Sequence, residues 1–246
     1  MDGRIHSIET GGMVDGPGIR YVIFAQGCPL RCIYCHNPDT WNGNCKRAKT
    51  LSADELMSDI LKYKSYFKHS NGGITLSGGE PLIQKQFATE LFRSCKQNGI
   101  HTVLDTSGYD GINDTTKQLL AYTDLVLLDI KSINPETYKK ITKQNITKSI
   151  EFAKYLSTKN IPTWIRFVLV PDINDNESET HELGQFISSL SNIQKIEVIP
   201  FHQMGAHKWK EMEMNYELEY TKEPSKTQIH NARKILKQYN PNIEVV

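Results

Sequence analysis

Short apolar runs alternate with amphipathic stretches along most of the chain. Runs rich in β-branched and aromatic residues, such as residues 21–26 and 125–128, predict buried β-strands. Between these runs, apolar side chains recur at every third or fourth position, which is the spacing of one face of an α-helix. In residues 52–68 the recurring side chains include Leu56, Ile60 and Phe67. The pattern therefore predicts strand, loop and helix in repeated succession.

Six principal strands are predicted after a leading strand at residues 4–9. They cover residues 21–26, 73–77, 101–105, 125–128, 163–170 and 195–199. The predicted helices cover residues 52–68, 84–98, 114–122, 147–159, 177–190 and 225–239, and residues 243–246 are expected to form a terminal strand or tail.

Strands that alternate with helices imply a parallel sheet with right-handed crossovers. Six such units are too few for a complete eight-fold barrel. We therefore predict an α/β fold, either a partial (β/α)6 TIM-like barrel or an open doubly wound sheet. The length of 246 residues fits one domain over residues 1–246.

Unusual polar residues and glycines follow the carboxyl ends of the predicted strands. Both architectures bind ligands at that edge, so we expect these residues to form one site. They are Cys28, Cys32 and Cys35 after the first strand, Gly78, Gly79 and Glu80 after the second, Asp105 after the third, Asp129 and Lys131 after the fourth, and His202 after the sixth.

Three of the five cysteines lie between positions 28 and 35, in the spacing C-x3-C-x2-C. Three thiolates on one loop can hold three irons of a [4Fe–4S] cube and leave the fourth iron open, whereas electron-transfer clusters usually have four cysteines. A Cys3His zinc site with His36 is an alternative, but the adjacency of Cys35 and His36 strains tetrahedral ligation. Inert buried thiols are a weaker alternative, because this loop carries glycine and proline.

Composition limits the other classes of function. The net charge is +1, without the basic excess expected of a nucleic-acid-binding protein. No apolar run is long enough to span a bilayer and the first residues carry no signal-peptide core, so we expect a cytoplasmic protein that does not bind membranes. Cys95 falls on an apolar helical stripe and is expected to pack in the core, while Cys45 has no assigned role.

The chemistry of the remaining polar residues leaves alternatives open. Gly78 and Gly79 allow close backbone approach of a ligand, although a simple β-turn would also explain them. Asp105 and Asp129 can accept ribose hydroxyls or hold a cation, and the alternative for Asp105 is a helix N-cap. Arg166 lies within a predicted strand, where it is costly unless it pairs with a carboxylate.

One long motif resembles the signature of the glycyl-radical-enzyme activating enzymes of the radical S-adenosylmethionine (SAM) superfamily. It reads Gly16-x-Gly18-x-Arg20-x3-Phe24-x2-Gly27-Cys28-x3-Cys32-x-Tyr34-Cys35. Segments similar to that family continue along nearly the whole chain, at residues 3–7, 14–20, 34–41, 99–108, 151–160, 164–171 and 207–209 (HKW). Many such enzymes carry an additional cysteine-rich insert, but only Cys45 follows here, so one cluster is expected.

The resemblance implies that Cys28, Cys32 and Cys35 ligate one [4Fe–4S] cluster and that SAM chelates the open iron. It implies SAM contacts from Tyr34, Cys35, His36, Gly78, Gly79, Glu80, Asp129, Ile130, Lys131 and His202, with Asp105 as a further contact to SAM or to a monovalent cation. Asp15 and Arg166 are the residues expected to hold the substrate loop.

The reaction implied by the resemblance is a one-electron oxidoreduction under anaerobic conditions. Reduced flavodoxin or ferredoxin supplies the electron, SAM is cleaved to methionine and a 5′-deoxyadenosyl radical, and the radical removes a Cα hydrogen from a glycine of the partner. The partner would be pyruvate formate-lyase or a related keto-acid formate-lyase. A radical SAM enzyme acting on a small molecule would share the cofactor residues, and a zinc-stabilised binding module is the non-catalytic alternative.

Overall fold

The structure is a computed structural model that describes residues 1–43, 45 and 48–246. Its strands are β1 (Asp2–Gly12), β2 (Arg20–Ala25), β3 (Lys49–Ser52), β4 (Gly73–Gly78), β5 (His101–Thr106), β6 (Leu125–Asp129), β7 (Thr163–Leu169), β8 (Ile193–Pro200) and β9 (Glu244–Val245). Its α-helices are α1 (Ala53–Ile60), α2 (Lys64–Ser70), α3 (Lys85–Gln97), α4 (Asp114–Leu120), α5 (Pro135–Thr142), α6 (Thr147–Thr158), α7 (Glu177–Ser188), α8 (Ala206–Glu211) and α9 (Lys226–Tyr239).

The first of two compact units comprises Met1–Pro29 and Thr40–Leu127. Its strands lie in the order β3-β1-β2-β4-β5. β2, β4 and β5 are parallel, whereas β1 pairs antiparallel with both β2 and β3. The central strands carry fully buried aliphatic residues such as Val22, Ile74 and Leu104, because helices cover a parallel sheet and leave little of it to solvent.

The second unit comprises Leu30–Asp39 and Leu128–Val246. Here β7, β8 and β9 are neighbours and run parallel. α7 packs closely on α9, and a Cβ atom at Gly184 would lie only 2.7 Å from the ring of Tyr239. A larger residue at this position would therefore force the two helices apart.

Strand β6 crosses the division between the units. Just before it, the Asp124 N–H donates to the Thr102 carbonyl within the first unit (3.0 Å). Just after it, the Ile130 N–H donates to the Arg166 carbonyl within the second (3.0 Å).

The predicted α/β class with a parallel sheet is confirmed, and the six predicted strands correspond to β2 and β4–β8. Capping boxes at Ser52 and Ser225 begin α1 and α9 as the sequence indicates. The expectation of one domain over residues 1–246 stays a prediction. No helix in the described part of the chain has the length and apolar character needed to cross a membrane.

Several element boundaries predicted from the sequence are wrong. The leading strand is longer and reaches Gly12, because hydrogen bonds to β2 continue into the glycine-rich stretch. The predicted helix at residues 52–68 is interrupted by a 3-10 turn at Leu61–Tyr63. Helix α5 was not predicted, although its Asn134 cap and Pro135 at the first helical position are start signals.

Candidate functional site

The end of α5 anchors the loop that carries the second and third clustered cysteines. The Arg31 N–H donates to the Thr142 carbonyl (2.9 Å), and the Ile33 N–H donates to the Ile141 carbonyl (3.0 Å). The last carbonyls of a helix have no partner within it, so they are available to a neighbouring chain segment. Two main-chain bonds therefore fix the loop on either side of Cys32.

A backbone turn joins Cys32 and Cys35. The Cys35 N–H donates to the Cys32 carbonyl (2.9 Å), and the Cys35 carbonyl accepts from the indole N–H of Trp209 (2.8 Å). Cys32 is buried and Cys35 is half-buried. Both backbone polar groups of Cys35 are thus satisfied within the second unit.

Cys28 belongs to the first unit and follows a strained turn. Gly27 has φ +103°, a conformation that L side chains rarely adopt, and its N–H donates to the Thr40 carbonyl (2.6 Å). The Cys28 N–H donates to the Trp41 carbonyl (3.3 Å), while the Gly27 carbonyl accepts from the Glu80 N–H (2.9 Å). The first cysteine is therefore tied to the segment after β4.

The donor set of this loop fits an iron–sulfur cluster better than it fits zinc. Within residues 1–43, 45 and 48–246, no three His, Cys, Asp or Glu side chains are already gathered as around a metal ion. Three thiols between positions 28 and 35 are soft donors of the kind that iron–sulfur clusters use. The imidazole of His36, the fourth ligand of the zinc alternative, is instead directed at His202.

The rings of His36 and His202 are in contact and tilted by 45°. Their ring centroids are 4.2 Å apart, and His36 Nε2 lies 3.3 Å from the His202 carbonyl oxygen. Burial lowers the pKa of His36, and the neighbouring His202 lowers it further, so the neutral imidazole predominates at pH 7. The two histidines expected to contact SAM are therefore brought together within the second unit.

Gly78 and Gly79 are required by a close backbone approach. Gly78 has φ +107°, and a Cβ there would lie 2.3 Å from the Ala25 nitrogen. A Cβ at Gly79 would lie 2.1 Å from the Gly27 carbonyl oxygen, and the Gly79 N–H donates to the Ala25 carbonyl (2.9 Å). The glycines thus allow the turn after β4 to pack on the turn that precedes Cys28.

The Glu80 carboxylate is held by donors from two neighbouring segments. Glu80 is buried, and its two oxygens accept from the Leu82 N–H (3.1 Å), the Thr106 hydroxyl, the Ser107 N–H (2.9 Å) and the Ser107 hydroxyl (2.6 Å). A carboxylate offers about four acceptor positions, and these donors use them in this structure. Glu80 thus fastens the glycine turn to the end of β5, and its expected contact with SAM stays a prediction.

Asp105 lies near the end of β5 and is half-buried. Its carboxylate accepts from the Ser77 hydroxyl on β4 (2.6 Å). The alternative role as the N-cap of the next helix is wrong, because α4 begins after Asn113, whose side chain accepts from the Thr116 N–H (3.0 Å). Asp105 therefore remains placed for a ligand contact at the carboxyl end of its strand.

Lys131 forms an ion pair with Asp129, with Nζ 2.6 Å from the carboxylate. The lysine side chain is 12% exposed, and its Nζ lies 5.8 Å from the ring centroid of Tyr34. Burial lowers the pKa of Lys131, but the Asp129 carboxylate and other nearby anionic groups raise it, and the net pKa lies well above its usual range. The ammonium group therefore stays charged. Ile130, between these two residues, is buried.

The hydroxyl of Tyr34 is buried and has no hydrogen-bond partner among the described residues. Burial raises the pKa of this phenol well above its usual range, although the charge of Lys131 acts in the opposite direction. The phenol is therefore protonated at neutral pH. Because buried hydroxyls normally have a partner, this orphaned group is consistent with a polar ligand beside it.

Arg166 on β7 pairs with Glu197 on β8, with Nε 3.3 Å from the carboxylate. Lys195 also reaches Glu197 (2.9 Å). The carboxylate that the sequence requires beside Arg166 is thus provided by the neighbouring strand. A carboxylate of SAM or of a peptide is not needed to offset the cost of burying this arginine.

The glycine-rich loop between β1 and β2 is fixed at its base. The Thr75 hydroxyl donates to the Asp15 carbonyl (2.6 Å), and Gly16 and Gly18 have φ +125° and +67°. Asp15 is half-buried, whereas Met13 is 79% exposed and Val14 is 73% exposed. The loop therefore presents two apolar side chains to solvent beside the predicted substrate-binding aspartate.

The structure adds residues that the chemical reasoning missed. Thr106 and Ser107 hold Glu80, and Trp209 and Lys208 hold the segment after Cys35. Lys208 and Trp209 belong to the HKW segment at residues 207–209, which is one of the segments similar to the family. The sequence therefore singled out these two residues, but it did not reveal which residues they contact.

Comparison with known proteins identifies the family. A family model described as the Radical SAM superfamily matches residues 22–184. The chain is 45% identical over 251 residues to the pyruvate formate-lyase-activating enzyme of Staphylococcus epidermidis, covering 100% of this chain and 99% of that protein. It is 43% identical over 245 residues to the pyruvate formate-lyase 1-activating enzyme of Escherichia coli K12, covering 98% of each.

The fold is also similar to a crystal structure of a domain of pyruvate-formate lyase-activating enzyme from Bacteroides vulgatus. The TM-score is 0.60 at 22% identity, over 71% of this chain and 98% of that chain. This structural likeness concerns the fold, while the sequence relatives match over nearly their full lengths. The chain therefore belongs to the radical SAM superfamily and, within it, to the family of the pyruvate formate-lyase-activating enzymes.

Proposed function

We propose that this protein activates pyruvate formate-lyase by generating a glycyl radical on it. The observation that carries the proposal is the loop with three thiols, whose second half is fixed by α5 and by Trp209. The chain that contains this loop matches the activating enzymes over nearly its whole length. The identity of the partner is inferred from the names of the relatives. The chemistry is inferred from the residues described below.

Cys28, Cys32 and Cys35 are the proposed ligands of one [4Fe–4S] cluster. A cluster held there would supply one electron for the reductive cleavage of SAM to methionine, the chemistry that would lead to removal of a Cα hydrogen from a glycine of the partner. The contribution of the protein is to hold the thiolates, orient SAM and exclude water. The satisfied backbone of Cys35 supports the first of these tasks.

The SAM contacts proposed within the first unit are Gly78, Gly79 and Glu80, with the glycine backbone facing SAM and Glu80 also maintaining the turn. In the second, the Lys131 ammonium provides a charge for the SAM carboxylate, and the orphaned Tyr34 hydroxyl is a further donor. The remaining contacts proposed are Cys35, His36, Asp129, Ile130 and His202.

Further parts of the proposal concern partners. We propose that Asp105 contacts SAM or a monovalent cation, and that Asp15 and Arg166 contact the glycine loop of pyruvate formate-lyase. The exposed apolar residues beside Asp15 support a protein substrate. Reduced flavodoxin or ferredoxin is the proposed electron donor, and the cytoplasm is the proposed compartment.

The iron content of single cysteine variants tests the ligand assignment. After anaerobic reconstitution with iron and sulfide, we expect Cys28→Ser, Cys32→Ser and Cys35→Ser to lose most of the iron and the visible absorbance of the wild-type protein. Cys45→Ser, whose side chain is half-buried outside the motif, is the control and should retain both. A wild-type protein that binds one zinc ion and no iron would overturn the proposed mechanism.

A further inference from the structure

Helix α8 contacts the cysteine loop through its tryptophan. The Trp209 indole N–H donates to the Cys35 carbonyl (2.8 Å), which joins residues 174 positions apart. Trp209 is buried, and its ring packs on Tyr216 with centroids 5.0 Å apart. The indole is therefore held in place by its own neighbour while it binds the backbone of a proposed cluster ligand.

The residue before Trp209 holds the next part of the same loop. Lys208 Nζ lies 2.7 Å from the side-chain oxygen of Asn37 and 3.2 Å from the carboxylate of Asp39. Because the helix presents both residues to consecutive parts of one segment, it restrains the direction in which the chain leaves Cys35.

A third contact lies just before α8. A Cβ atom at Gly205 would come within 2.7 Å of the His36 Cα, so only glycine allows this approach. The His202 ring contacts the His36 ring. Together, His202, Gly205, Lys208 and Trp209 form what we call the C-terminal clamp, which contacts Cys35, His36, Asn37 and Asp39.

We propose that Trp209 is a positioning residue, whose N–H fixes the Cys35 peptide and thereby determines how firmly the third thiolate holds the cluster and at what potential the cluster is reduced. The inference rests on the proposed function in one respect, that Cys35 is a cluster ligand. Groups that orient metal ligands commonly change metal affinity about 10- to 100-fold when they are removed, and hydrogen bonds near a cluster change its potential.

The electrostatics of Tyr216 agree with this placement. Burial raises the pKa of the Tyr216 phenol to about 12, and a contribution in the same direction comes from the Cys35 thiolate.

Trp209→Phe in the full-length protein tests the inference, because it keeps an aromatic ring against Tyr216 while it removes the N–H donor. After anaerobic reconstitution, we expect about tenfold faster loss of iron to a ferrous chelator than in wild type. We also expect a lower midpoint potential in an EPR-monitored titration, since one N–H dipole near the reduced cluster is lost. The thermal midpoint of the apoprotein should change little.

Trp164→Phe is the matched control. Trp164 lies on β7, and its ring is stacked beneath Lys195 at 4.5 Å, so it should behave as wild type in all three measurements. Lys208→Met is a second test that leaves the indole intact. It should accelerate iron loss about threefold, since it removes the contacts to Asn37 and Asp39.

Wild-type iron loss and potential in Trp209→Phe would overturn the inference. Equal losses in Trp209→Phe and Trp164→Phe would also overturn it, because they would show a general effect of removing an indole. If Trp209→Phe does not fold, wild-type behaviour of Lys208→Met overturns the clamp. A wild-type protein that takes up no iron overturns the proposed function along with the inference, whereas normal iron uptake with an unchanged Trp209→Phe overturns the inference alone.

Discussion

The carboxylate of Glu80 accepts hydrogen bonds from both the backbone N–H and the hydroxyl of Ser107, at 2.9 and 2.6 Å. The Thr106 hydroxyl and the Leu82 N–H complete its partners. Glu80 therefore joins the turn after β4 to the end of β5. In this chain the acid of the Gly-Gly-Glu motif supports the turn from a buried position.

Removal of the Glu80 carboxylate should destabilise the protein. Glu80→Ala leaves buried donors of Leu82, Thr106 and Ser107 without their acceptor, and each such group costs about 1–3 kcal/mol when it stays unpaired. Allowing for relaxation of the turn, we expect a loss of about 3 kcal/mol in the free energy of unfolding, measured with urea. Glu182→Ala on α7, which is exposed, is the control, and an equal effect of both would contradict this role.

The pH dependence of stability should contain a contribution from Glu80. Burial raises the pKa of this carboxyl, and hydrogen bonds from Ser107 and Thr106 only partly oppose the rise, so the net pKa lies above its usual value of 4.5. The folded state then holds the proton to higher pH than the unfolded state. The contribution of Glu80 to the free energy of unfolding is therefore fully present below pH 4.5. It is lost as the pH rises through the pKa that Glu80 has in the folded protein.

Glu80→Gln isolates that contribution, because glutamine does not titrate. We expect the decline in the free energy of unfolding from pH 4.5 upward to be shallower in Glu80→Gln than in wild type. Glu182→Gln should keep the wild-type profile. A profile for Glu80→Gln that parallels wild type throughout would show that this carboxyl does not carry the effect.

Arg20 should not tolerate replacement by lysine. Its guanidinium is fully buried and donates to Thr75 Oγ1 (3.0 Å) and to the carbonyls of Ile74, His101 (3.3 Å) and Pro17 (3.4 Å). A lysine ammonium cannot reproduce this fork of donors. We expect Arg20→Lys to cost about 2–4 kcal/mol of unfolding free energy in urea, since several buried acceptors lose their partners.

The control for this substitution is Arg93→Lys, on the exposed face of α3, which should change stability by less than about 0.5 kcal/mol. Because Arg20 also holds Pro17 in the loop before β2, Arg20→Lys should expose that loop to proteolysis. Wild-type stability of Arg20→Lys would mean that the buried hydrogen bonds are dispensable.

Arg166 and Glu197 should be energetically coupled. Their side chains are largely buried and directly opposite in the register of β7 and β8. A double-mutant cycle with Arg166→Met and Glu197→Gln should give a coupling of about 1 kcal/mol in unfolding free energy. The exposed pair Lys117 and Asp114 on α4 is the comparison and should give a coupling close to zero. Equal couplings would contradict the assignment of Glu197 as the partner.

The cysteine loop and the succession of strands along the chain could be predicted because their signals are local. The spacing of Cys28, Cys32 and Cys35, and the position of Gly78 after an apolar run, are visible within short windows of sequence. Periodicity likewise placed the main strands, since the alternation between buried strands and amphipathic helices is maintained along the chain.

The partners of the site residues could not be predicted, because they are distant in the chain. Glu80 is held by Thr106 and Ser107 from the following strand, and Trp209 reaches Cys35 across 174 positions. Such contacts depend on tertiary packing, for which one sequence contains no local pattern. The support that Glu80 gives to the turn was missed for this reason, because the motif does not reveal that nearby hydroxyls donate to the carboxylate.

The most direct test of the account is the EPR spectrum of the anaerobically reconstituted and reduced protein after addition of SAM, with and without pyruvate formate-lyase. The account predicts a doublet glycyl-radical signal that appears only when SAM and the partner are both present, and that is absent from Cys35→Ser. A reduced cluster signal that SAM perturbs, with no radical on the partner, would contradict the proposed substrate. A protein without iron would contradict the mechanism as a whole.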